Sequence, residues 1–179
     1  MFKKFSKDDV HTRTNVKSSI AKNIRNKIVE QYPLLQDHID DIMPKKVSVS
    51  LYKCEGKIQL YVVNGEILFY QQFDDFIPEL RLVHKYPEAF PRVQVDRGAI
   101  KFVLGGSNIM CPGLTSKGAQ LPDEDWPVNK IVVVYAEGKE SAMAVGKLAM
   151  SINDIKTINK DTGVELYEYL GDGMWNFRE

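Results

Sequence analysis

The sequence lacks most of the features that would announce an enzyme, a metal protein or a membrane protein. Its 179 residues include only two cysteines, Cys54 and Cys111. That is too few for a disulfide framework, and there is no C-x-x-C pair to hold zinc. No apolar run approaches the roughly 18 residues of a membrane span. Met1-Phe2-Lys3-Lys4-Phe5 lacks the apolar stretch of a signal peptide. A cytoplasmic protein with no membrane contact is expected. Walker loops, dinucleotide-binding fingerprints and G-x-S-x-G elbows are missing as well. The three histidines, His11, His38 and His84, stand far apart, with no second histidine or cysteine at i+3 or i+4. No metal and no cofactor is expected from them. Asp8-Asp9, Asp40-Asp41, Asp74-Asp75 and Asp123-Glu124-Asp125 read as polar turns or solvated faces. General acid–base work needs a carboxylate in a shaped, partly dry pocket. Cys111, beside Pro112-Gly113 and with no histidine near it, reads as a small packed residue rather than a nucleophile. No catalytic residue is nominated.

An excess of one charge is missing too. The chain carries 24 basic and 24 acidic residues. Non-specific nucleic-acid binding rests on many simultaneous phosphate contacts, so any nucleic-acid role must be local and shape-based. The charge is nevertheless uneven. Residues 1–27 hold 8 basic and 2 acidic side chains, and that end suits an anionic partner.

What is present is an ordinary globular composition, 44% hydrophobic and 27% charged. Val16, Ile20, Ile24 and Ile28 recur every four residues and predict a helix over 16–31, capped by Asn15 and stopped by Pro33. Pro33 also suits the start of a second short helix, with Leu34, Leu35, Ile39, Ile42 and Met43 as its apolar stripe and Pro44 as its end. The basic side chains on and around this pair read either as the solvated face of core-packing helices or as a partner-facing surface. Residues 47–72 predict a three-stranded meander with turns at Glu55-Gly56 and Asn64-Gly65. A short helix over 79–85 follows, and then an extended linker, Phe90-Pro91-Arg92, expected to divide the chain into units of 1–92 and 93–179.

The second unit opens with a strand at Val93-Gln94-Val95. Asp96 is expected to cap a short helix that Gly105-Gly106 ends. A strand stub at Ile109-Met110, a turn at Pro112-Gly113 and a buried strand at Ile131–Ala136 come next. Ser151 with Asp154 predicts a capped helix through Lys160, closed by Gly163, before a last strand from Val164 to Leu170. Residues 141–150, rich in helix formers, read as helix by propensity alone. The loop Gly105-Gly106-Ser107-Asn108 stands out. Glycines let backbone N–H groups approach a ligand closely. Lys101 offers a phosphate contact, and Phe102 a face on which a base can stack. The same residues also read as a plain helix end with Phe102 in the core. Both readings stand at this level.

Residues 96–114, from Asp96-Arg97-Gly98-Ala99 through Gly105-Gly106-Ser107-Asn108 to Pro112-Gly113-Leu114, resemble the opening motif of a PUA domain. Ala142 to Ala149 is similar to that family's Ala-x-Ala-x-Gly-x-Ala strand, which turns the expectation for 142–149 from helix to strand. The opening Met1-Phe2-Lys3-Lys4-Phe5, Met43-Pro44-Lys45-Lys46, Val63-Asn64-Gly65-Glu66, His84-Lys85-Tyr86-Pro87 and Asn108 through Ser116 together resemble the malignant T-cell-amplified sequence family. The resemblance spans nearly the whole chain. Arg97, Gly105 and Ser107 stand where some relatives carry Lys, Ser and Ala. It implies an α+β fold, a small N-terminal α/β-meander domain followed by a PUA β-barrel. It implies a non-catalytic translation factor that pairs with a density-regulated protein homologue and binds the small ribosomal subunit. Such a factor promotes release of deacylated tRNA and reinitiation, with the PUA domain near the tRNA acceptor end. The alternative is a PUA accessory protein for tRNA or rRNA modification, or for ribosome assembly. On this reading Lys101, Phe102, Gly105, Gly106, Ser107, Asn108, Met110, Pro112 and Gly113 face RNA. Lys3, Lys4, Lys17, Lys22, Lys45 and Lys46 form a basic surface toward the ribosome or the partner.

Overall fold

The computed structural model describes residues 1–178, and two five-stranded sheets organise them. In the first half, Ser6 caps a single turn at Lys7–Asp9 that leads into β1 (Val10–Asn15). The sequence reading missed this strand. It is a sheet edge whose residues are exposed on both faces beyond Val10, so it carries no apolar alternation to detect. Asn15 ends β1 and accepts a hydrogen bond from Ser50 Oγ at 2.9 Å. It therefore does not cap α1 (Ser18–Gln31), whose cap position is held by Lys17 without a side-chain bond. Ala21, Ile24 and Ile28 are the buried stripe of α1, while Ile20 is 49% exposed. A strict four-residue repeat drifts about 40° per step around a 3.6-residue helix, so the expected row winds off the core.

Pro33 opens a turn at Pro33–Leu35 before α2 (Ile39–Ile42). Leu35, Ile39, Ile42 and Met43 are buried, and Leu34 is not. The meander forms as β2 (Ser50–Cys54), β3 (Ile58–Val63) and β4 (Glu66–Gln71). Asn64 and Gly65 between β3 and β4 have φ of 52° and 77°, the pair of left-handed residues a tight hairpin demands. A two-residue strand, β5 (Ile77–Pro78), completes the order β1-β2-β3-β4-β5. Next comes α3 (Leu80–Lys85), capped by the Glu79 side chain.

The second half runs β6 (Arg92–Val95), α4 (Ile100–Val103), β7 (Ile109–Met110), α5 (Pro112–Thr115), β8 (Ile131–Ala136), β9 (Ala144–Leu148), α6 (Ile152–Ile158) and β10 (Thr162–Tyr169). Its curled sheet has the order β6-β8-β9-β10-β7, with only β6–β8 parallel. The fold class is α+β, as expected. Two local expectations are corrected. Pro112-Gly113 is not a free turn but the start of α5, because proline suits a first helical position. The Ser151-capped helix ends at Ile158, where Asn159 takes the left-handed conformation (φ 51°), rather than at Gly163. Gly163 lies inside β10, where a Cβ would meet Leu114 Cδ1 at 2.9 Å. The helix-forming residues of 144–148 form the central strand β9. A Cβ on Gly146 would meet Glu165 O at 2.5 Å, so small residues here serve close strand approach, and tertiary packing overrides propensity.

Two cores form, and the larger one draws on both halves. Alternate residues of β8 point to opposite sides. Val132, Val134 and Ala136 pack within the second half, whereas Ile131, Val133 and Tyr135 join Val145, Tyr167 and Met174 in the core of the first. That double burial explains the unbroken apolar run of β8. The segment expected to be a linker is packed as well. Phe90 is buried edge-on to Tyr32, with ring centroids 5.0 Å apart. The Arg92 guanidinium lies 3.6 Å above the Tyr135 ring. At this seam Phe2 is fully buried and meets the Tyr70 ring edge-on at 4.7 Å, and Gly173 N donates to Phe2 O. His84 Nε2 lies 2.7 Å from Ala142 O. Arg81 stacks on Trp175 at 3.7 Å.

Candidate nucleic-acid interface

The chain from Asp96 to Ser116 folds back on itself and encloses an open cleft of about 760 Å³. Asp96 organises it. Its Oδ1 accepts from Ala99 N at 3.0 Å, starting the turn into α4, and its Oδ2 accepts from Ser116 Oγ beyond α5. Phe102, Ser107, Asn108, Met110, Pro112 and Gly113, six of the nine residues expected to face RNA, line the cleft. Phe102 is 58% and Met110 49% exposed. The core reading of Phe102 is therefore excluded. Buried Val103 supplies the inward contact of α4 instead. A large aromatic and a thioether held out to solvent beside a cleft cost folding free energy and suit a ligand with flat apolar faces.

The other three residues surround this pair. Lys101 Nζ sits 5.1 Å from the Phe102 ring centroid, so a cation and an aromatic face are presented together. Gly105 N bonds to Lys101 O and Phe102 O, closing the turn. Gly106 has φ +89°, and a Cβ there would meet Tyr169 Oη at 3.3 Å and Lys3 Cδ at 3.4 Å. Its role is to let the loop bend tightly against β10. Asn108 is partly committed to structure, since its Oδ1 accepts from Leu166 N at 2.9 Å. Thr162 and Ser116 also line the cleft. The sequence reading did not single them out, because their nearness depends on contacts distant in sequence, Thr162 opposite Met110 and Ser116 Oγ donating to Asp96 Oδ2.

The six lysines expected to form one basic surface divide into two sets. Lys3, with Lys4 next in the chain, belongs to the N-terminal segment packed at the seam and reaches the Gly106 loop. Lys22 and Lys45 line a separate groove of about 720 Å³ between α1 and residues 36–45, with Lys17 and Lys46 adjacent in the chain. Arg25 lines that groove too and was missed as a site residue. Its place follows from its position one turn after Lys22 on α1.

The cysteines and histidines are engaged in packing and local contacts. Cys111 is fully buried, and burial pushes its thiol up. Cys54 is pushed up to about 11 by burial. Each histidine has its own neighbour, His11 with Glu55 at 3.0 Å, His38 against Tyr86 and His84 at Ala142 O. Among the described residues no group of three metal-ligating side chains forms, and no helix is long and apolar enough to cross a membrane. The buried acids are not the adjacent pairs the sequence displays. They are Glu79, Glu168 and Asp172, isolated in the sequence and assembled at the seam. The register shift between Leu166 and Glu168 in β10 inserts an extra residue, as a bulge does, and re-aims Glu168 inward.

The Pre-PUA-like domain family matches residues 4–87 and the PUA domain family residues 91–170. Translation machinery-associated protein 20 of Eremothecium gossypii is 60% identical over 99% of this chain and 98% of its own length. The protein of the same description from Saccharomyces cerevisiae is 58% identical over the same shares. The malignant T-cell-amplified sequence 1 homolog of Dictyostelium discoideum is 50% identical over 98% of this chain and 97% of its own length. A hypothetical protein from Pyrococcus horikoshii shares the fold with a TM-score of 0.74 at 20% identity, covering 92% of this chain and 98% of that one. With both domains matched and close relatives aligned end to end, the chain belongs to the family of translation machinery-associated protein 20 and the malignant T-cell-amplified sequence proteins.

Proposed function

We propose that the chain is a non-catalytic, cytoplasmic RNA-binding translation factor that acts on the small ribosomal subunit together with a density-regulated protein homologue. The family and its PUA domain support the translation-associated, RNA-binding part of this reading. The observation that carries it further is the cleft, where Phe102 and Met110 stand exposed with Lys101 at their side. A PUA-type surface reads RNA by shape, backbone and stacking rather than by a long base code. An unpaired tRNA acceptor end offers such bases, and the neutral chain keeps bulk phosphate attraction low. The groove lined by Lys22, Arg25 and Lys45 supplies a second, more electrostatic contact to the ribosome or the partner. Two modest contacts on linked proteins reach useful avidity and still release. In this role the protein promotes departure of deacylated tRNA after termination and supports reinitiation.

The test is sedimentation with small subunits carrying deacylated tRNA in the P site, with and without the density-regulated protein. Co-sedimentation and partner-dependent tRNA release are expected, and both weaken in Phe102→Asp. Subunit binding without release would favour an assembly role. Absence of subunit binding would return the PUA domain to the modification-accessory class.

A further inference from the structure

Glu168, on β10, is fully buried, and Glu79, at the start of α3, is 3% exposed. One comes from each half of the chain, and they meet at the seam. Glu168 Oε1 accepts from Leu80 N at 3.1 Å and from Tyr70 Oη at 3.4 Å. Its Oε2 has no donor. Glu79 Oε2 accepts from Arg81 N at 2.7 Å. Asp172, the third buried acid, has both oxygens served, by Tyr169 N at 3.1 Å and Trp175 N at 2.8 Å. Both oxygens of Asp172 thus have donors as a carboxylate, and those of Glu168 do not. The cations that reach this cluster sit at its rim. The Met1 amine acts on Asp172, and the Arg81 guanidinium acts on Glu79. The Tyr70 hydroxyl stays protonated, because burial and the surrounding acids push it well above its ordinary range.

We propose that a single proton, held by Glu168 and shared with Glu79, is a pH-sensitive fastener between the two halves of the molecule. Two carboxyls can hydrogen bond only when one of them carries a proton, and that proton gives Oε2 its missing partner. Burial, then the neighbouring Glu79 and Asp172, hold Glu168 well above the usual carboxylate range. When the proton leaves, an unsolvated charge remains against two other acids, and admitting water by loosening the seam relieves it. The loosening reaches the RNA-facing cleft. Asn108 is bound to Leu166 on the same strand, and the Gly106 loop rests on Tyr169 next to Glu168.

The sign follows from linkage. Folding raises the proton affinity of these acids, so the folded chain binds more protons than the unfolded one between the two titration points. Stability is greatest in acid and falls as pH rises through each folded-state value. Asp172, raised to about 6, contributes part of the fall, and Glu168, also raised by burial and its acidic neighbours, contributes the rest.

The test compares thermal unfolding of the wild type and Glu168→Gln between about pH 6 and about pH 9. Glutamine keeps an acceptor for Leu80 N and Tyr70 Oη and turns an N–H toward Glu79. Wild-type Tm is expected to fall by about 3 °C or more across that range, and Glu168→Gln to lose most of this slope. An unchanged slope in the variant overturns the proposal. If the variant does not fold, the infrared spectrum of the wild type at about pH 8 decides. A C=O stretch from a protonated, buried carboxylic acid supports the fastener, and its absence overturns it.

Discussion

The cleft and the seam handle unfavourable groups in opposite ways. At the cleft, apolar side chains that folding would gain by burying are left in water, with Phe102 58% and Met110 49% exposed. At the seam, carboxyls that prefer water are withdrawn from it, with Glu79, Glu168 and Asp172 at 3% or less. Each arrangement costs free energy in the isolated chain. The cleft recovers its cost only when a ligand covers it. The seam recovers its cost internally, through backbone N–H groups aimed at the acids and through the packing of Phe2, Tyr70 and Met174 around them. Surface function and internal joining are thereby separable by mutation, although Asn108 and Gly106 tie the two regions physically.

The comparison breaks hardest at Gly173. A Cβ there would lie 2.5 Å from Phe5 N and 2.7 Å from Phe2 O and would also strike the Phe5 carbonyl. These are backbone atoms of a segment already bonded to Gly173 N, so no flexible side-chain end can yield. Gly173→Ala is expected to cost about 3 kcal/mol, at the upper end of overpacking penalties, in a urea melt. A change below about 0.5 kcal/mol would show that the N-terminal segment is not part of the seam's packing.

At the cleft the expected pattern reverses. Phe102→Asp leaves Tm nearly unchanged, because an exposed side chain away from special backbone geometry contributes within about 0.5 kcal/mol. RNA affinity falls by about 1–3 kcal/mol, the worth of one stacked base. Calorimetry on the variant and RNA titration at fixed salt check both halves of this statement. A variant that melts early, or one that binds RNA as tightly as the wild type, would break this separation of surface function from packing.

How far these regions were legible in sequence differs for a physical reason. The cleft is built almost wholly from one stretch of chain, so the Gly105–Asn108 loop with Lys101, Phe102 and Met110 could be nominated from local pattern, whereas Pro112, Gly113, the fold class and the strand at 142–149 came from the family resemblance. The seam is built from residues 2, 70, 79, 168 and 173, whose proximity exists only once the two sheets share a core. Asp74-Asp75 and Asp123-Glu124-Asp125 read as solvated turns and are exposed, whereas nothing in the local pattern marks Glu79, Glu168 or Asp172 as buried. Glu168 looks like an outward strand residue until the bulge at its side re-aims it. Strand β1 escaped because an edge exposed on both faces has no apolar periodicity. The lysines were read correctly as basic but not as divided, since their grouping depends on where α1 and the N-terminal segment pack.

That division gives the mildest prediction. Lys22 and Lys45 sit in a groove with Arg25, at the start of a helix whose first turn holds no acidic residue, whereas Lys3 reaches the Gly106 loop. If phosphates occupy the groove, each lost contact removes about 0.9 from the slope of log K against log salt on duplex RNA or DNA-like phosphate spacing. Lys22→Ala with Lys45→Ala should therefore lower the slope for small-subunit binding by somewhat under 2. Base stacking at the cleft, read as the penalty of Phe102→Asp, should stay the same in that background. Lys3→Ala should behave differently and reduce the Phe102 penalty, because it acts beside the same loop. A double-mutant comparison of Lys3 with Phe102 and of Lys22 with Phe102 separates the two sets, with coupling expected only in the first pair. Equal coupling in both pairs would mean that the six lysines act as one surface despite their separate places in the fold.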